Sequence, residues 1–261
     1  MRSTAILLLA SVSLAPVHLD LDAQVPTPKG ASMEARRANQ HYRSGWEAMR
    51  KEAWDEAAKE FQAAIDNDER FALAYYSLGR AEMGRRNFGR AIVAYVKCRE
   101  LFLNEGGARF TNELDYRKRL DDRILEYQLS IQQAQQGPTG KGSSQSQQLF
   151  LRQLQTTLIT LQQARDRSDN LTIEATVPYF VPMALGAAYF RSGRFADAER
   201  EYKLAIATNA ASGETHNNLA VLYLTTGRYL EAEEEVREAE KVGFKVNENL
   251  KSDIRRKKAG S

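Results

Sequence analysis

One pattern returns four times along this 261-residue chain, and its interval limits the fold more than any other feature. From Leu185 to Ala205, a small residue, Gly186, is followed by Tyr189. A turn at Ser192-Gly193-Arg194 then leads to Phe195, Ala198, Tyr202 and Ala205. The same order recurs 34 residues on as Ala220, Tyr223, Gly227, Tyr229, Ala232, Val236 and Ala239. Two earlier copies, also 34 apart, read Gly45, Ala48, Trp54, Ala57, Phe61, Ala64 and Gly79, Phe88, Ala91, Tyr95, Cys98. Small and bulky residues three and four apart lie on one face of a helix. Each copy therefore reads as two helices joined by a short turn. Gly45, Gly79, Gly186 and Ala220 let the first helix approach closely, and Ala57, Ala91, Ala198 and Ala232 do so from the second. Phe61, Tyr95 and Tyr202 fill the space beside them. One such hairpin cannot bury its apolar face alone, so the copies must stack.

This helix-turn-helix period, with its small and aromatic positions, resembles the tetratricopeptide repeat family. The resemblance implies an all-α solenoid of two pairs of repeats, residues 38–105 and 179–245, whose inner wall is concave. It also implies a non-catalytic scaffold binding a protein or peptide on that wall. The first helix of each repeat lines it. The wall positions are then Tyr42, Trp46 and Met49; Tyr76, Arg80 and Met83; Met183, Ala187 and Phe190; and Asn217, Val221 and Leu224. Aromatic and methionine side chains there suit an apolar or amphipathic peptide. The other reading is that these positions pack against the insert or the N-terminal segment. The proline that often closes such a repeat is missing, its places taken by Glu69, Leu103, Ala210 and Phe244. The carboxylate clamp of some eukaryotic relatives is missing too: Tyr42, Trp46, Ser77, Met183 and Ala187 occupy its positions.

Residues 106–178 interrupt the period. Tyr116, Leu120, Ile124, Tyr127, Ile131 and Ala134 form one apolar stripe, and Leu151, Leu154, Leu158 and Leu161 another. The Gly- and Ser-rich stretch 137–145 between them marks a loop. This predicts an antiparallel helical hairpin of coiled-coil type. Two placements are open: an arm that projects toward a partner or a homo-oligomer, or an elongated repeat pair packed into the solenoid. The many glutamines suit solvated faces. Arg167 to Pro178 lacks a helical period and leans extended, and Asn170-Leu171-Thr172 matches a glycosylation acceptor.

The chain opens Met1-Arg2-Ser3, followed by an apolar run from Ala5 to Leu14 and a small residue at Ala23. That order predicts an export signal over residues 1–23 and a periplasmic or secreted protein. The run is too short to span a membrane. Residues 24–37 read as a flexible segment, and 246–261 as a capping helix and tail covering the last repeat. The net charge of +3 gives no strong nucleic-acid footprint. Cys98 is the single cysteine, so no internal disulfide can form, and it stands where other copies have alanine. No metal-ligand spacing, nucleophile elbow or phosphate-binding loop occurs, so neither a metal, a cofactor nor an enzymatic reaction is expected. His41 and His216 fall at the same place in repeats one and four.

Overall fold

The computed structural model describes residues 33–105, 113–136, 145–166 and 177–259. Among the described residues there are eleven helices and no strand. The fold is an all-α repeat solenoid. The four repeats are α1 (Met33–Arg50) with α2 (Trp54–Asn67), α3 (Ala72–Gly84) with α4 (Phe88–Glu105), α7 (Phe180–Arg191) with α8 (Phe195–Thr208), and α9 (Gly213–Thr225) with α10 (Tyr229–Lys241). Between the second and third lie α5 (Glu113–Gln135) and α6 (Gln145–Asp166), and α11 (Glu248–Ala259) packs on α10. Helix α1 begins at Met33, ahead of the Ala38 start read from the sequence. Helix α4 runs through Leu103 to Glu105, where no proline stops it. Residues 1–32, which include the expected export signal, and Asn170 with most of 167–178 lie outside the described residues.

The small-to-large rule within each repeat has a direct steric cause. A Cβ added at Gly45 would sit 2.6 Å from the Phe61 ring, at Gly79 2.4 Å from Tyr95, and at Gly186 2.6 Å from Tyr202. Helix and ring are in full contact, and no other residue fits at those three positions without movement. Repeat four has Ala220 and Val236 instead, a larger first residue with a smaller second one, both buried. Ala57, Ala91, Ala198 and Ala232 are fully buried on the second helices. The turn inside each repeat also repeats its backbone. Glu52, Arg86, Gly193 and Gly227 all take positive φ, at 55°, 62°, 78° and 79°. Glycine accommodates that region freely, whereas Glu52 and Arg86 adopt it at a cost.

Helix α4 packs directly on α7, as α2 packs on α3 and α8 on α9. The solenoid is therefore continuous across the interruption, and α5–α6 stands outside the stack. Arg99 on α4 forms an ion pair with Glu201 on α8 at 2.7 Å, joining the second helices of repeats two and three. The hairpin neither projects nor enters the stack as a repeat. Helix α5 lies across α1 and α3, the first helices of repeats one and two.

Candidate functional site

The inner wall divides into two unlike halves. In repeats one and two three of its six positions are buried. Tyr42 is 1% exposed, and Trp46 and Tyr76 are each 7% exposed. Tyr42 packs among Phe61 (5.7 Å between ring centroids), Phe71 (4.7 Å) and Trp46 (6.4 Å), and the Arg80 guanidinium lies 4.9 Å above the Trp46 ring. Tyr76 stacks on Phe150 of α6 at 5.8 Å and meets Phe180 edge-on at 4.8 Å. The repeat register assigns these three residues to an open groove; they are core instead. The hairpin covers Tyr42 with Ser130 and Tyr76 with Phe150, while Trp46 is enclosed by Tyr42, Phe61 and Arg80 of the repeats themselves.

Beside these apolar contacts runs a polar stripe. Arg119, Arg123, Glu126, Ser130 and Gln133 recur at helical spacing on α5, and all five are buried. The Ser130 and Tyr42 hydroxyls are 2.8 Å apart, and the Ser77 hydroxyl donates to Tyr42 at 3.4 Å. Arg50 donates to the Gln133 side-chain carbonyl at 3.1 Å. Arg119 donates to the Arg70 carbonyl at 3.4 Å and faces Glu126 at 3.5 Å, while Arg123 lies 5.9 Å from the Phe102 ring. Burial lifts the Glu126 carboxyl to about 7, against the pull of Arg119 and Arg123. Glutamines here read as solvated from the sequence, yet Gln133 is buried. The stripe's spacing is present in the sequence, but polar residues at that period ordinarily mark the outer face of a helix.

In repeats three and four the wall stays partly open. Met183, Ala187 and Phe190 on α7, with Asn217, Val221 and Leu224 on α9, are half-buried. Phe150 reaches Phe180 at 5.0 Å, at the start of α7. Phe190 rests on Phe195 at 5.7 Å, which fixes its ring without burying it. Met49, Arg80 and Met83, the remaining expected positions of the first half, are half-buried as well.

The tetratricopeptide-repeat sequence profile matches residues 42–97 and 183–243. These two stretches coincide with the two pairs of stacked hairpins. The chain belongs to the tetratricopeptide-repeat family. Among solved structures, the chain is similar to the tetratricopeptide-repeat protein TTC0263 of Thermus thermophilus, with a TM-score of 0.36, 16% identity, and coverage of 84% of this chain and 98% of that one. It is also similar to the P58(IPK) tetratricopeptide-repeat domain, with a TM-score of 0.29, 14% identity, and coverage of 85% and 64%. A third is YrrB, described as having an unusual peptide-binding site, with a TM-score of 0.25, 12% identity, and coverage of 82% and 94%. Among curated proteins no match was found.

Other polar groups of this tetratricopeptide-repeat protein hold helices together. His216 pairs with Glu235 at 2.7 Å and His41 with Glu60 at 2.8 Å, each bridging the two helices of its repeat. The Glu235 hydrogen bond holds the His216 imidazole above its ordinary pKa, against burial. Repeat three has Pro182 at the histidine place, leaving Glu201 to take Arg99 from the preceding repeat. Cys98 is fully buried and burial pushes its thiol up, which makes it unreactive. A polar cleft of about 180 Å³ is lined by Glu34, Ala35, Asn67, Asp68, Arg70, Lys118 and Asp122. Its charges are of both signs, with no nucleophile beside a base. Among the described residues no cluster of histidine, cysteine and carboxylate could hold a metal ion. No described helix is long and apolar enough to cross a membrane.

Proposed function

We propose that this chain is a non-catalytic scaffold that receives a protein partner on the inner wall of repeats three and four. One observation carries the reading. In the register where repeats one and two bury Tyr42, Trp46 and Tyr76, repeats three and four leave Met183, Ala187 and Asn217 half-exposed, beside the half-exposed Phe190, Val221 and Leu224. Partly exposed methionine and aromatic side chains on a rigid concave wall suit an amphipathic segment, because they bury much area at small entropic cost. Oligomerisation through the hairpin finds less support. Helix α5 is spent on the solenoid, and the outer face of α6 sets a single large apolar residue, Ile159, among Gln148, Arg152, Gln155, Thr156 and Thr160, which makes no continuous apolar seam. Residues 1–23 fit the same picture as an export signal, which would place the scaffold in the periplasm or outside the cell.

A photo-crosslinking residue at Ala187, installed in the native cell, should capture a defined protein, while one at the outward-facing Val93 should not. Leu224→Glu should reduce the Ala187 adduct at least ten-fold with unchanged helicity. Equal capture from both faces, or an adduct indifferent to Leu224→Glu, would refute the wall as the binding surface.

A further inference from the structure

The permanent helix contacts of this molecule are apolar and tight, glycine or alanine against a ring. The contact of α5 with α1 and α3 is of another kind. It sets a line of polar groups beside the buried apolar side chains of α5: the Ser130 and Tyr42 hydroxyls, the Gln133 amide under the half-buried Arg50 guanidinium, and the buried Arg119 guanidinium between the Arg70 carbonyl and Glu126. The polar part of this interface is selective yet contributes little net free energy, because desolvation offsets most of the attraction. Glu126 illustrates the strain, since burial lifts its carboxyl to about 7. The stack does not depend on the hairpin, because α4 meets α7 directly.

We propose that the α5–α6 hairpin is an exchangeable internal ligand of the inner wall. It is a strap that lies over repeats one and two and lifts off as a unit, baring Tyr42, Tyr76 and Ser77 while the four repeats stay stacked. In this respect the inner wall is self-inhibited over part of its length. The surface beneath the strap is a helix-binding surface, as its present occupant demonstrates. The polar stripe of α5 defines what it takes: a helix presenting hydroxyl and amide groups beside paired charges, in place of a purely apolar peptide. None of this depends on which protein binds repeats three and four.

Native-state hydrogen exchange on the full chain tests the strap. Amides of α5 and α6 should share one opening event and be at least ten-fold less protected than those of α4 and α7. Protection of α5 within ten-fold of α4 overturns the proposal. A second measurement uses Ser130→Trp, which wedges the strap away from Tyr42. A fluorescent peptide of residues 113–136 should bind this variant at least ten-fold more tightly than the wild-type chain. Equal binding, or none to either, overturns the exchange. If α4 and α7 lose protection together with α5 in the variant, the hairpin is integral core and the proposal fails. Neither assay involves repeats three and four as a binding surface, so failure here leaves the wall proposed there standing.

Discussion

Replacing Gly79 with alanine sets two effects of opposite sign against each other. In a helix interior the exchange ordinarily stabilises by about 0.5–1 kcal/mol, since glycine has more freedom to lose. At this position the new Cβ would lie 2.4 Å from Tyr95 Cε1, 2.6 Å from Cδ1 and 2.8 Å from Cζ. Tyr95 is buried, and its ring lies 5.6 Å from that of Tyr76, so it has little room to withdraw. Overpacking of this severity costs about 1–3 kcal/mol. Gly79→Ala should therefore destabilise by about 1–2 kcal/mol. Tyr95→Val alone leaves a cavity and should cost about 2–4 kcal/mol. Once the ring is gone, the clash is gone. In the Tyr95→Val background, Gly79→Ala should change sign and stabilise by about 0.5–1 kcal/mol, a coupling of about 1.5–3 kcal/mol in a double-mutant cycle. Repeat four already carries this combination as Ala220 with Val236. Urea denaturation followed by circular dichroism on the four chains measures the cycle. Equal destabilisation by Gly79→Ala in both backgrounds would show that the Gly–ring contact does not set the helix spacing.

Two further outcomes are expected. Glu126 faces Arg119, Arg123 and Asp122 on its own helix, with Asp68 and Cys98 opposite. Its docked value of about 7 lies above the ordinary 4.5, so the docked hairpin holds the extra proton. Docking is then strongest at low pH and weakens as pH rises from 4.5 through about 7, by up to about 3 kcal/mol for the full shift. Hydrogen exchange of α5, corrected for intrinsic rates, should show less protection at pH 8 than at pH 5, and Glu126→Gln should flatten that slope; a flat wild-type profile would disconnect Glu126 from docking. The mature chain should begin at Gln24, read by N-terminal sequencing of protein recovered outside the cytoplasm, and a retained Met1 there would count against a cleaved signal.

The repeats are legible in the sequence because each depends on a local pair: a glycine on one helix and a ring sixteen residues on, as in Gly45 with Phe61 and Gly79 with Tyr95. Both partners lie within one period, so the spacing alone exposes the contact. The wall is legible only in part. The register of Tyr42, Tyr76, Met183 and Asn217 follows from the period, but whether a position is open depends on what covers it. For Tyr42 the cover is Ser130, 88 residues away on a helix with a different period. Nothing in the local pattern carries that information. The buried stripe from Arg119 to Gln133 is hidden for the same reason, since its polar residues match those of an ordinary solvated face.

Arg191, at the end of α7, sits over Phe88, at the start of α4, so these two helices run antiparallel and the chain departs from the stack near the point where it rejoins it. The interruption is consequently a detour whose exit and return share one doorway. The joint between α4 and α7 is made by those two helices themselves, so the length of the segment looped out between them is not set by the joint. A protein built this way can change what it carries at its waist and leave its frame untouched.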